Sequence, residues 1–178
     1  MNKSKTKKNT LRTIPGLIAP AFISSASAKE KAYPEQDPVL KYTQPSGWSA
    51  KDDGDSTTLE SKSGRVFVTF TAVPKDASMA VFNEQLAAEK KRQNWQGTKV
   101  TMEPRKDTIK GLTFFSGAYE AKGEGVDTKT PFEFTLMLFK GGKGQSILCT
   151  LTVDSPKTLS DADKNGYDII MESMKVFK

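Results

Sequence analysis

Strict alternation of apolar and polar residues is the main pattern in this chain. In "RVFVTFTAV", Val66, Val68, Phe70 and Ala72 fall on one side, with Phe67, Thr69 and Thr71 on the other. "PFEFTLMLF" sets Phe132, Phe134, Leu136 and Leu138 against Glu133, Thr135 and Met137. "SILCTLTV" sets Ile147, Cys149, Leu151 and Val153 against Leu148, Thr150 and Thr152. A period of two is that of a strand with one side turned to a core. "GLTFFSGAYEA" gives a fourth strand, "TKVTME" a shorter fifth, and shorter ones fit residues 40–43, 48–50 and 57–60. The last two flank Asp53-Gly54, a hairpin signal because both positions tolerate positive φ.

Two segments change period. "SMAVFNEQLAAEKKRQ" puts Met79, Phe82 and Leu86 on one helical stripe and ends near Gly97. In "SDADKNGYDIIMESMKVF", Tyr167, Ile170, Met171 and Met174 recur at i, i+3, i+4 and i+7, the pattern of a packed amphipathic helix. Ser160 is its N-cap, with Asp163 three residues on as a short-armed capping box, and Gly166 weakens its first turns. The late strands are joined by the hairpin-like loops "KGEGVDTKT" and "KGGKG", so that part of the sheet is antiparallel. Helices with one apolar stripe and strands apolar on both sides predict an α+β fold: an antiparallel sheet flanked by helices in an α/β/α sandwich.

The ends of the chain divide it into a leader over residues 1–28, a linker over 29–38 and a domain over 39–178. Lys3, Lys5, Lys7, Lys8 and Arg12 precede the apolar "IPGLIAPAFI", and Ala26 and Ala28 flank Ser27 in an A-x-A pattern. These are the parts of a secretory signal peptide, so the chain is expected to be exported, to a periplasm or the cell exterior, or to a thylakoid lumen in a phototroph. The apolar run of ten residues is too short to span a bilayer, which takes about 20, and no integral span is expected in the mature form. "KEKAYPEQDP" is polar and proline-punctuated and reads as the linker.

The leader changes the charge balance. Removing its five basic residues from the chain's 27 leaves 22 against 21 acidic ones, a net of +1 in place of +6. Such a domain has no electrostatic claim on nucleic acid. Lys90, Lys91 and Arg92 read as a solvated helix end that suits the helix dipole.

Much chemistry is excluded outright. The chain has no histidine, so triads that use it and His metal sites are absent. Cys149 is the only cysteine; it reads as a buried strand residue with no basic neighbour to lower its pKa. No Ser-x-x-Lys follows residue 29, and "GGKGQS" lacks the spacing of a phosphate loop. Asp52, Asp53 and Asp55 fail the calcium-loop pattern at Thr58 and Gly64. No catalytic residue, cofactor or metal site is predicted, although a carboxylate-only hydrolase lacks nothing but a distinguishing pair.

The opening "YTQPSGWSAKDD", the strand "RVFVTFTAVP", the helix after it, the long hairpins and the closing "YDIIMESMKVF" resemble the PsbP-like superfamily. The resemblance covers roughly residues 39–178, and Pro45-x-Gly47-Trp48 with the terminal helix is its most specific part. It implies a six- or seven-stranded antiparallel sheet flanked by helices, and non-enzymatic roles in binding other proteins. Among its branches the exported DcrB-type bacterial proteins fit best. The photosynthetic branch binds metal partly through histidine, which this chain lacks. The expected function is therefore an exported accessory protein with an unidentified protein partner. The alternative is a lumenal photosystem II accessory protein, or a small-ligand carrier of the same fold. Trp48 reads as a core anchor. Candidate partner contacts are Trp95, which follows a charged helix end, and Lys122, Glu124, Asp127 and Lys129 in the longest hairpin loop.

Overall fold

The computed structural model of the protein describes residues 28–35, 37–122, 131–142, 144–154 and 159–177. Apart from Ala28, residues 1–28, expected as a leader, lie outside them.

Ten strands and two helices follow in order among the described residues: β1 (Lys29–Tyr33), β2 (Leu40–Gln44), β3 (Ser49–Asp52), β4 (Ser56–Glu60), β5 (Val66–Val73), α1 (Met79–Arg92), β6 (Gln96–Ile109), β7 (Leu112–Lys122), β8 (Phe132–Lys140), β9 (Ser146–Asp154), α2 (Asp161–Ser173) and β10 (Lys175–Val176). Seven strands form one sheet in the order β3-β4-β5-β9-β8-β7-β6, and three form a small sheet, β1-β2-β10. Every pairing is antiparallel. The expected α+β sandwich is what the chain builds.

The alternation read from the sequence sets the two faces of the large sheet. Val68, Phe70, Cys149 and Leu151 point to one face and pack against Ile170 of α2 and Leu40 of the small sheet. Phe134, Leu136 and Leu148 point to the other and pack against Phe82 and Leu86 of α1. Cys149 is fully buried on the α2 face, where burial pushes its thiol well above the usual range.

Trp48 is a core residue, and its environment explains Gly166. A Cβ added at Gly166 would stand 2.5 Å from Trp48 Nε1 and 2.7 Å from Cε2. The glycine that weakens the helix as a sequence is what lets α2 lie directly on the indole. Ser160 caps α2 as expected, its hydroxyl accepting from Asp163 N–H and donating to the Asp163 carboxylate at 2.7 Å. Burial alone would raise that carboxyl's pKa, but hydrogen bonds from Ser160, Ser63 and Ser61 outweigh it and hold it below the ordinary carboxylate range. One aspartate thus fastens the start of α2 to the turn between β4 and β5.

Residues 29–38, expected as a linker, contain β1, whose last residue is a core anchor. The Tyr33 hydroxyl donates to the Asp55 carbonyl at 2.6 Å and accepts from Ala72 N–H at 3.0 Å, tying the small sheet to the large one. Lys29 and Glu30 are exposed, so β1 carries too little apolar alternation to be seen as a strand.

Candidate functional site

The α1 face is covered over only part of its width. Helix α1 starts at Ser78, whose side chain accepts from Val81 N–H, and its two buried residues, Phe82 and Leu86, rest on the apolar side chains of β7, β8 and β9. Beyond β9 the same face turns polar. Thr58 is paired with Thr69, and Thr69 with Thr150, so three hydroxyl side chains stand in one row across β4, β5 and β9. They floor a groove of about 520 Å³. Glu89 and Arg92 of α1 form one wall, and Asp53, Asp55 and Ser56 close one end.

Three of the groove's four charged groups, Arg92, Glu89 and Asp53, are already engaged. Arg92 donates to Glu89 through Nε and one terminal nitrogen, the shorter contact being 2.6 Å. Gln93 also donates to Glu89, at 2.9 Å, and Trp95 Nε1 donates to Gln93 at 3.1 Å. Asp53 accepts from the hydroxyl and the N–H of Ser56, which hold its carboxyl below the ordinary range.

At the end of α1 lies the corner that holds two of the sequence candidates. Asn94 takes a left-handed conformation (φ 46°) and turns the chain back, so that Trp95 N–H donates to the Lys90 carbonyl at 3.0 Å. The indole then packs edge-on against Phe134, with centroids 4.8 Å apart, and lies near Phe132 and Tyr119. Trp95 is half-buried, which differs from a free surface aromatic: it closes the end of a core while leaving an edge outside. Gln96 pairs with Lys122, so Trp95 and Lys122 come to the same end of the sheet. Lys91 and Lys122 are exposed beside it, and the Lys90 ammonium stands over the Tyr119 ring at 5.3 Å. Glu124, Asp127 and Lys129 lie outside the described residues.

A third feature is an apolar pocket of about 140 Å³ between the β6–β7 turn and the end of α2, lined by Leu112, Phe114, Phe139 and Met171 among others. Its size is below the roughly 300–1,000 Å³ of common small-molecule sites. Among the described residues no group of three or more His, Cys, Asp or Glu could hold a metal ion, and no helix is long and apolar enough to cross a membrane.

The architecture belongs to a recognisable class, the α/β/α sandwich with a seven-stranded antiparallel sheet. Solved structures share it. Cyanobacterial PsbP (CyanoP) from Synechocystis sp. PCC 6803 superposes with a TM-score of 0.56 at 12% identity, over 90% of this chain and 98% of that one. The Ran-binding protein Mog1p of Saccharomyces cerevisiae gives 0.55 at 10% identity, over 84% and 96%. A Bacteroides thetaiotaomicron protein gives 0.50 at 15% identity, over 79% of this chain and 46% of its own. These likenesses, all at 15% identity or below, show that the chain shares the fold of these proteins. No family model matches the chain, and no curated protein matches it.

Proposed function

We propose that the protein is an exported, non-catalytic accessory module of the PsbP-like kind, in the manner of the DcrB-type proteins, and that it works by holding another protein. The leader is cut after Ala28, and the mature chain begins with β1. The observation that carries the docking reading is the corner where Trp95, Lys91 and Lys122 meet. An aromatic ring packed against three others, two of them edge-on, and rimmed by lysines has the make-up of an interface anchor, because it is rigid before binding and loses little entropy on contact. The remote kinship of fold with a Ran-binding protein agrees with a docking role.

Purified residues 29–178 immobilised on beads, exposed to the envelope fraction of the source cell, test this. Lys91→Glu and Lys122→Glu are the informative variants, because both side chains are exposed and their loss leaves the fold intact. Capture should fall severalfold with an unchanged melting temperature. Capture equal to the native protein's would show that the partner sits elsewhere. Intact mass of the exported protein should begin at Lys29, and a full-length cytosolic chain would overturn the export reading.

A further inference from the structure

We propose that the groove on the α1 face binds a short saccharide. This goes beyond the docking reading and does not depend on it.

The starting point is Thr150. It lies on β9, the central strand of the large sheet, where a mixed or apolar position is the rule. It is 7% exposed, and its hydroxyl finds no hydrogen-bond partner among the described residues. That oxygen is not enclosed, so it reaches the groove, and valine would fill the same space without it. Thr71, half-buried on β5 and lining the same groove, is equally without a partner among the described residues. Thr58 and Thr69 satisfy each other at 3.0 Å, which leaves each oxygen a further lone pair toward the opening. The groove therefore presents two free hydroxyls, Thr71 and Thr150, beside a Thr58–Thr69 pair with acceptor capacity to spare.

The surrounding charge selects the ligand class. Asp53, Asp55 and Glu89 set three carboxylates against the single guanidinium of Arg92, which disfavours phosphate and carboxylate ligands. Carboxylates and a planar guanidinium fixed at the rim are good acceptors and donors for adjacent hydroxyls on one ring. The volume of about 520 Å³ falls within the range of small-ligand sites. A neutral or amino-bearing sugar meets all three conditions. In the free protein water occupies such a groove, and the sugar replaces it hydroxyl for hydroxyl. No aromatic ring lines this groove, so affinity is modest.

The test is a titration of the mature chain, carbon-13-labelled at its threonine methyls, with maltotriose and with chitotriose as probes. One of them should shift Thr69, Thr71 and Thr150 together and saturably, with a dissociation constant of about 1–10 mM. Thr150→Val keeps the shape and removes the hydroxyl; it should weaken binding about tenfold while the melting temperature holds or rises. Thr71→Val serves the same purpose if Thr150→Val folds poorly. Absence of saturable shifts with both sugars up to about 50 mM, a range that covers weak sites, would overturn the proposal. Undiminished binding by both valine variants, or saturable shifts with inorganic phosphate instead, would overturn it as well.

Discussion

The two faces of the large sheet are made by the same strands and end differently. On β5, Val66, Val68 and Phe70 point to the α2 face and are completely buried, while Phe67, Thr69 and Thr71 point to the α1 face and are half-buried. The α2 face is covered twice, by a helix and by a second small sheet, and its core runs from Tyr33 to Met174. The α1 face has one helix of 14 residues, which covers the apolar half and leaves the threonine half open. Stability is concentrated on the first face, and the surface free to meet other molecules is concentrated on the second. A residue's neighbours in sequence say little about which role it has; the face it points to says most.

The comparison is sharpest at Gly166. Alanine is the better helix former by about 1 kcal/mol, so on an exposed helix this change stabilises. Against Trp48 there is no room, because the ring atoms nearest the new methyl belong to a rigid indole. Gly166→Ala should therefore destabilise by about 1–3 kcal/mol, the usual cost of overpacking, and lower the melting temperature by several degrees. A neutral or stabilising result would mean that α2 sits loosely and that the closed face is not closed.

Asp163 tests the same layer with pH. Its carboxyl is held below the ordinary range in the folded protein, so between the folded and unfolded pKa values the native state binds fewer protons. Its contribution is then complete above the unfolded value of about 3.9 and is lost as pH falls through the lower folded value. Asp163→Asn should flatten that acid limb in denaturant titrations from pH 6 downward, by about 1 kcal/mol or less. An unchanged acid limb would mean that the serines around it bind water instead.

The smallest effect belongs to the open face. Tyr119 is 2% exposed, and its hydroxyl has no partner among the described residues. Removing an unsatisfied buried hydroxyl costs nothing and relieves its desolvation. Tyr119→Phe should leave stability unchanged within about 0.5 kcal/mol, or raise it. A loss of about 1 kcal/mol or more would reveal a partner for that hydroxyl.

The legible parts of the fold were those with a period. β5, β8 and β9 lie where alternation placed them, and α1 and α2 bury the stripes their spacing predicted. The strand read over "TKVTME" extends on to Ile109, through Pro104 and three irregular registers, because a sheet edge exposed on both sides shows no alternation to read. That edge is guarded: Asp107 accepts from Thr108 N–H and pairs with Arg105 at 3.1 Å, which discourages a further strand. β10 was hidden in the end of a helical stripe, where "KV" continues the pattern of α2 but pairs with β2 instead. For the candidate site, Trp95 and Lys122 were visible as residues but not as neighbours, since Gln96 and Lys122 meet only through the β6–β7 hairpin. The left-handed Asn94 was the local signal that Trp95 turns inward, Asn being favoured after a helix end. The threonine row could not be read at all, because β5, with β4 on its other side, meets β9 only after the whole of α1, β6, β7 and β8 has intervened.

The placement of Trp48 and Trp95 gives the molecule a built-in pair of optical probes. The chain has two tryptophans, one pressed beneath α2 and the other wedged at the end of α1. Trp48 sits in a dry environment against backbone, whereas Trp95 keeps an edge toward solvent and is hydrogen-bonded to Gln93. Their emission should differ in colour and in sensitivity to an added quencher. Lifting of the α2 layer and loosening of the α1 corner can thus be followed separately in one sample, without a label.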